Sequence, residues 1–283
     1  MNFCVLFVFI FLFEIVSCFN LNKQLVPDSV EIIDGYNVKE GDYGFMVSVQ
    51  IIYGHICGGS IYNRRTIITA AHCIDAYYNY YILAGVLDAN NRTGGQYIKV
   101  ASYVKHPDFI NPKKGNDIAL LFLETELVES ELVRPIELPR VHLHAGEIAT
   151  VLGWGSTEPN TTLSGSQNFL QKLDVRVVSV DFCESFYDPS KYDITENNIC
   201  TGKKDFLGGV CNGDSGGPLL KMHRSYNPSY GFFWIWKLFG ITSFGEPGCD
   251  HHKPDVYTNV FNFKDWIKDN AMPNDENYSN NLL

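Results

Sequence analysis

Short runs of β-branched and aromatic residues, separated by turn-forming segments, set the pattern of this chain. Residues 45–53 (FMVSVQIIY), 60–69 (SIYNRRTIIT), 80–87 (YYILAGVL), 97–104 (YIKVASYV) and 118–123 (IALLFL) form a first series. A second series comprises 147–152 (EIATVL), 172–180 (KLDVRVVSV), 232–244 (FFWIWKLFGITSF) and 255–260 (DVYTNV). Runs of this kind suit the pleated, half-buried surface of a strand. Their spacing predicts an all-β chain of barrels or sandwiches rather than alternating βαβ units. Residues 262–270 (NFKDWIKDN) carry the clearest helical period, with Phe263, Trp266 and Ile267 on one face. The Asn-rich stretch from Pro273 onward reads as a frayed tail.

The N-terminus departs from this pattern. Residues 3–13 (FCVLFVFIFLF) are an unbroken apolar run, followed by Glu14 and then Val16, Ser17 and Cys18. Spanning a bilayer takes about 20 residues, so this shorter run reads as a secretory signal peptide over residues 1–18, cut near Cys18. No other stretch approaches spanning length, and the expectation is a secreted, extracellular protein without a membrane partner.

Composition narrows the class further. In 283 residues, 45% are hydrophobic and 19% charged, a balance that supports a packed core and excludes a disordered chain. Lys plus Arg number 22 against 32 Asp plus Glu, a net charge of −10. An acidic chain without basic clusters is a poor partner for nucleic acid or an anionic membrane. Eight cysteines are present, and loss of Cys4 and Cys18 with the signal peptide leaves six. An even set in an oxidising compartment implies three disulfides, with about 15 connectivities open to sequence alone. Zinc competes weakly, because no C-x-x-C pair or H-x-x-x-H cluster exists. Asn91, Asn160 and Asn277 each head a glycosylation sequon.

Three separated motifs carry the chemistry. Residues 211–218 (CNGDSGGP) put Ser215 between glycines on a tight turn, where backbone N–H groups can approach a developing oxyanion. Residues 69–73 (TAAHC) place His72 beside a cysteine, and residues 116–120 (NDIAL) place Asp117 at the start of an apolar strand. Each motif alone has a bland reading as a turn or a packed histidine. Together they supply base, orienter and nucleophile in the order His, Asp, Ser. Residues 213–217 also fit the G-x-S-x-G pattern of α/β-hydrolases, but that fold wants the serine first and βα alternation.

On these motifs, with residues 57–60 (CGGS) and 153–155 (GWG), the chain resembles the chymotrypsin family of serine endopeptidases from Ile32 to about Ala271. The resemblance implies two antiparallel six-stranded β-barrels, roughly 32–137 and 138–261, with the active site between them and a C-terminal helix over 262–271. Residues 272–283 then form a flexible tail. It implies His72, Asp117 and Ser215 as the catalytic triad, and the N–H groups of Gly213 and Ser215 as the oxyanion hole. It also implies disulfides Cys57–Cys73, Cys183–Cys200 and Cys211–Cys249. Protein or peptide substrates and protein inhibitors are the implied partners of a monomer that needs no cofactor. Where calcium-binding relatives carry Glu, this chain has Val86 and lacks the acidic cluster, so no metal is expected. A non-catalytic homologue acting as a binding module is the alternative, and such relatives usually lose a triad member.

Activation and specificity follow from the same resemblance. Residues 19–31 read as a propeptide. The new terminus at Ile32 would pair with Asp214, and Ser48 and His55 match positions that hold this aspartate in some precursors. Glu31 departs from the usual Arg or Lys, which leaves the activating protease unknown. In the substrate pocket, Gly209 stands where trypsin-like members carry Asp, so the base is uncharged, and Gly245 leaves the entrance open. Ser243 and Phe244 complete that wall, with Phe244 in place of Trp. Asp255 falls at a pocket-wall position that is usually Gly; it either faces the pocket, pairs with Lys253 or turns away. These features predict cleavage after aromatic or large apolar residues, with tolerance of basic ones if Asp255 faces inward. Residues 223–236 are longer than in typical relatives, which predicts a hairpin packing its own aromatics, or else an exosite.

Overall fold

The computed structural model describes residues 36–156, 169–202, 209–229, 231–246, 249 and 252–273. Two barrels follow one another along the chain, as the resemblance implies. The first is built from β2 (Met46–Ile51), β3 (Gly54–Asn63), β4 (Thr66–Thr69), β5 (Tyr81–Ala84), β6 (Gln96–Lys105) and β7 (Ala119–Leu123). These strands close antiparallel in the order β2-β3-β4-β7-β6-β5. The second uses β8 (Ile148–Gly153), β9 (Gln171–Val178), β10 (Asn198–Thr201), β11 (Pro218–Asn227), β12 (Gly231–Phe244) and β13 (Asp255–Asn259). Their order β9-β10-β13-β12-β11-β8 closes through pairing of β8 with β9.

The period of two is plainest in β9. Gln171, Leu173, Val175 and Val177 are buried while Lys172, Asp174 and Arg176 face outward, so alternate side chains fill the barrel and meet solvent. Residues 60–69 differ from the single run expected there. The Asn63 side chain accepts the Arg65 N–H at 2.9 Å, and this Asx turn folds the run into β3 and β4 without a Gly or Pro to announce it. The sequence pattern also misses β10, β11 and the short helix α1 (Val180–Glu184), whose cap is the Ser179 side chain.

The ends of the chain cross over and tie the barrels together. The short strand β1 (Tyr36–Asn37) pairs with β9 of the second barrel, although it precedes the first. The C-terminal helix α2 (Val260–Asn270) starts two residues earlier than the helical period suggests and packs on the first barrel. Its Val260, Phe263 and Ile267 join a core cluster that holds residues of both barrels, and His106 meets Phe263 and Trp266 at 5.2 and 5.1 Å.

The three implied disulfides are all formed, at Cys57–Cys73, Cys183–Cys200 and Cys211–Cys249. Closing a loop of 16 residues contributes roughly 3 kcal/mol through the unfolded chain. The segment 223–236 lies in the long β11–β12 hairpin, and its aromatics pack across their own strands. Tyr226 and Phe232 lie 5.1 Å apart, with Arg224 over the Phe232 ring at 3.8 Å. No helix among the described residues is long and apolar enough to cross a membrane. Of the sequons, Asn91 is exposed, while Asn160 and Asn277 lie outside the described residues, as do residues 1–35.

Candidate active site

The cleft between the barrels gathers the three motifs. His72 lies in the 3-10 turn Ala71–Cys73 that follows β4, and Cys73 is stapled to Cys57 on β3. Asp117 precedes β7, the neighbour of β4, so pairing of these two strands brings the motifs together across 45 residues. Asp117 is fully buried, and its Oδ2 lies 2.7 Å from His72 Nδ1 while its Oδ1 accepts the His72 backbone N–H at 2.9 Å. A carboxylate here only accepts, so Nδ1 donates, which in the neutral ring leaves Nε2 as the acceptor on the other side.

The second barrel adds further support to Asp117. Ser243 Oγ donates to its Oδ2 at 2.6 Å, and Thr258 Oγ1 donates to its carbonyl at 2.8 Å. The expectation placed Ser243 on the pocket wall, and the structure gives it this additional hold on the carboxylate. Thr258 had no signal in the sequence, since a threonine in a buried strand fits every β pattern equally well.

Ser215 is partly exposed between buried neighbours. Its carbonyl accepts the Gly58 N–H at 2.8 Å, a bond that crosses from one barrel to the other. Gly216 follows with φ +76°, and a Cβ there would lie 2.2 Å from Thr69 Oγ1 and 3.1 Å from the Ala70 nitrogen. Only glycine permits both that conformation and that approach. The serine loop is thereby pressed against the segment that leads directly into His72. Gly213 has φ +102°, and the Asp214 N–H closes a turn onto the Cys211 carbonyl.

Asp214 is buried and accepts backbone N–H groups from Gly155 and Cys211, each at 2.8 Å. Its expected partner, Ile32, and the neighbouring Glu31 lie outside the described residues. His55, expected beside this aspartate in a precursor, instead meets the Gly213 carbonyl at 2.9 Å and Ser48 Oγ at 2.8 Å. Part of the His55 residue reaches the surface, but its ring packs on Trp154 at 5.5 Å. Burial of that ring lowers its pKa to about 4, against the opposing hydrogen bond to Gly213.

The pocket residues converge beside the serine loop. Gly209 is buried. Asp255 is 4% exposed, with Oδ2 accepting the Val210 N–H at 3.1 Å. Its Oδ1 lies 2.7 Å from where a Cβ on Gly245 would stand. The carboxylate therefore sits between the two walls named by Gly209 and Gly245. It does not pair with Lys253, whose ammonium lies over the Tyr187 ring at 5.7 Å. Burial, followed by the charge of Asp255, pushes the Tyr187 and Tyr257 hydroxyls up. Phe244 packs against Tyr187 and Tyr192 at 5.7 and 5.6 Å.

Potential metal-ligand atoms of Cys57, His72 and Cys73 lie within 4.8 Å of one another. The two sulfurs are bonded to each other, so neither offers the thiolate that a metal needs.

Known proteins share this frame. The Trypsin family model matches residues 32–267. Serine protease 1 of Homo sapiens is 33% identical over 254 residues, which cover 87% of this chain and 92% of the relative.

Proposed function

The chain belongs to the trypsin family of serine endopeptidases, and from that premise we propose that it acts through His72, Asp117 and Ser215 after release of residues 1–31. The observation that carries the proposal is the buried Asp117 gripping His72 twice, with the Ser215 loop bonded across the cleft at Gly58.

In the proposed mechanism, Ser215 Oγ attacks the scissile carbonyl while His72 Nε2 takes the hydroxyl proton. Asp117 holds the Nδ1–H tautomer and stabilises the imidazolium. The Gly213 and Ser215 N–H groups bind the oxyanion of the tetrahedral intermediate, where losing one donor costs about 3 kcal/mol. His72 then returns the proton to the leaving amine as the C–N bond breaks, leaving the acyl-serine. Water adds by the same route, its proton passing through His72 back to Ser215. A non-catalytic role as a binding module is disfavoured, because all three residues are retained.

The chain is made, in this reading, as a secreted monomeric precursor with a signal peptide (1–18) and a propeptide (19–31). Cutting the Glu31–Ile32 bond frees an ammonium that pairs with Asp214 and orders the serine loop. An activator that accepts Glu before the cut is required. Glycans on the sequons and inhibition by substrate-like proteins fit the same extracellular setting.

Cleavage follows Phe, Tyr or Leu, because Gly209 leaves the pocket base uncharged and burying a large apolar side chain contributes roughly 1.5–3 kcal/mol. Asp255 on the pocket wall also accepts Lys or Arg, as an ion-pair partner for the substrate side chain. A peptide-library profile of the wild type and Asp255→Gly tests this. The expected wild-type profile shows aromatic and basic cleavage together, and the variant keeps the aromatic component alone. Exclusive cleavage after Lys and Arg, or an unchanged profile in the variant, would overturn it.

A further inference from the structure

Four groups form a chain of hydrogen bonds that ends on the serine loop. Ser48 and Gln50 lie on β2 and are 0% and 1% exposed. The Gln50 amide nitrogen donates to the Ala89 carbonyl at 2.7 Å and to Ser48 Oγ at 3.1 Å. A carbonyl only accepts, so the Ala89 contact fixes which end of the amide is the nitrogen. Ser48 Oγ meets His55 Nδ1 at 2.8 Å, and His55 Nε2 meets the Gly213 carbonyl at 2.9 Å.

The direction of every bond then follows. The Gly213 carbonyl cannot donate, so the single proton of a neutral imidazole belongs on Nε2, leaving Nδ1 bare. Ser48 has one hydroxyl proton and gives it to Nδ1. The Gln50 N–H fills a lone pair of Ser48 Oγ and so favours that rotamer of the hydroxyl. The reverse imidazole tautomer would set a bare Nε2 against a carbonyl oxygen, lone pair against lone pair.

We propose that Gln50 is a positioning residue for peptide-bond hydrolysis, acting through Ser48 and His55 to hold the Gly213 carbonyl. This rests on the reading of Gly213 as an oxyanion donor. Gly213 has φ +102° and no side chain of its own to anchor it, so rotation of its flanking peptides is resisted from outside. An oxyanion donor works only while its N–H is aimed at the place where charge develops. The carbonyl lies on the peptide after Gly213 and the donor N–H on the peptide before it, so anchoring the carbonyl fixes one of the two planes and narrows the φ/ψ range left to the other. The relay places a first-barrel residue with no substrate contact in control of a second-barrel N–H.

The test is a double-mutant cycle on the mature enzyme beginning at Ile32, with Gln50→Met, Ser48→Ala and the pair. Because a misaimed donor is partly retained, Gln50→Met is expected to lower kcat about tenfold, against 10²–10³ for a donor removed outright. KM stays within about twofold, since ground-state binding does not use the oxyanion hole. The double variant loses no more than the worse single variant, as for two links of one chain. Multiplying losses, an effect on KM alone, or an unchanged kcat would each overturn the proposal.

Wild-type labelling of Ser215 by a fluorophosphonate tests separately that the chain is a serine hydrolase at all. A second measurement stands if Gln50→Met does not fold: nitrogen NMR of His55 in the wild type is expected to show Nε2 protonated and Nδ1 bare. The opposite tautomer would contradict the relay whatever the kinetics.

Discussion

The two sides of the cleft are held by different means. On the His72 side, side chains do the holding: Asp117 grips both the ring and the backbone of His72, Ser243 grips Asp117, and a disulfide clamps the turn to β3. On the Ser215 side, backbone geometry dominates, with left-handed glycines at 213 and 216 and tight turns between them. That segment takes its support from elsewhere, through Gly58 at Ser215, His55 at Gly213 and Cys249 at Cys211. Glycines lose more freedom on ordering than other residues, so such a loop needs outside contacts to settle in one form. The base and its orienter sit on neighbouring strands of the first barrel, with Ser243 and Thr258 of the second barrel holding the orienter from behind. In the proposed activation, the nucleophile loop is the half that a newly made N-terminus switches.

The largest expected effect comes from breaking the side-chain-held half. Asp117→Asn presents an amide to His72 and lets the ring take the wrong tautomer. A drop in kcat of about 10⁴, the loss familiar for the equivalent change in this family, is expected with KM little altered. Steady-state hydrolysis measures it, and a loss under tenfold would show that the Asp117 contact is not used.

Next in size is the backbone-held half. In the mature enzyme, Asp214→Asn removes the proposed partner of the Ile32 ammonium, and breaking a buried pair costs about 3–5 kcal/mol. A fall in kcat of at least about a hundredfold is expected. The comparison sharpens if the His72 half is followed at the same time. The proton resonance of His72 Nδ1–H should persist in the variant while activity is lost. Its disappearance would mean that the two halves do not order separately.

The sequence revealed these halves unequally. Strands with alternating or wholly apolar residues, such as β7 and β9, were legible because barrel closure needs that pattern. The run at 60–69 was not, because Asn63 makes its turn with a side chain that composition treats as ordinary. The triad residues stood out, since each lies in a short motif whose chemistry needs that residue type. Gln50, Thr258 and the second role of Ser243 were invisible, because their partners come from distant segments and strand patterns tolerate them all. Nothing in the sequence shows that Asp255 lies beside Val210 and Gly245, because those contacts join segments distant in the chain.

The smallest effect concerns pH and the outside support at Gly213. Burial lowers the His55 pKa from its ordinary 6.5 to about 4. Between those values the unfolded chain binds the proton and the folded one does not, so stability falls as pH drops from 6.5 toward 4 and then levels for this group. The shift limits this contribution to about 3 kcal/mol. Urea unfolding at pH 7 and pH 4.5 measures the loss. His55→Gln should remove most of the slope in that window, and an unaltered slope would place the titrating group elsewhere.

In the proposed activation, Ser215 becomes a nucleophile only when the loop around it is ordered from outside. Fluorophosphonate labelling of the precursor and of the chain beginning at Ile32, followed by peptide mapping, tests it most directly. The account predicts that Ser215 is labelled in the mature chain, and at least about a hundredfold more slowly in the precursor, in line with the energy of the buried pair. Equal labelling of both forms, or a mature chain that is not labelled at Ser215, would contradict it.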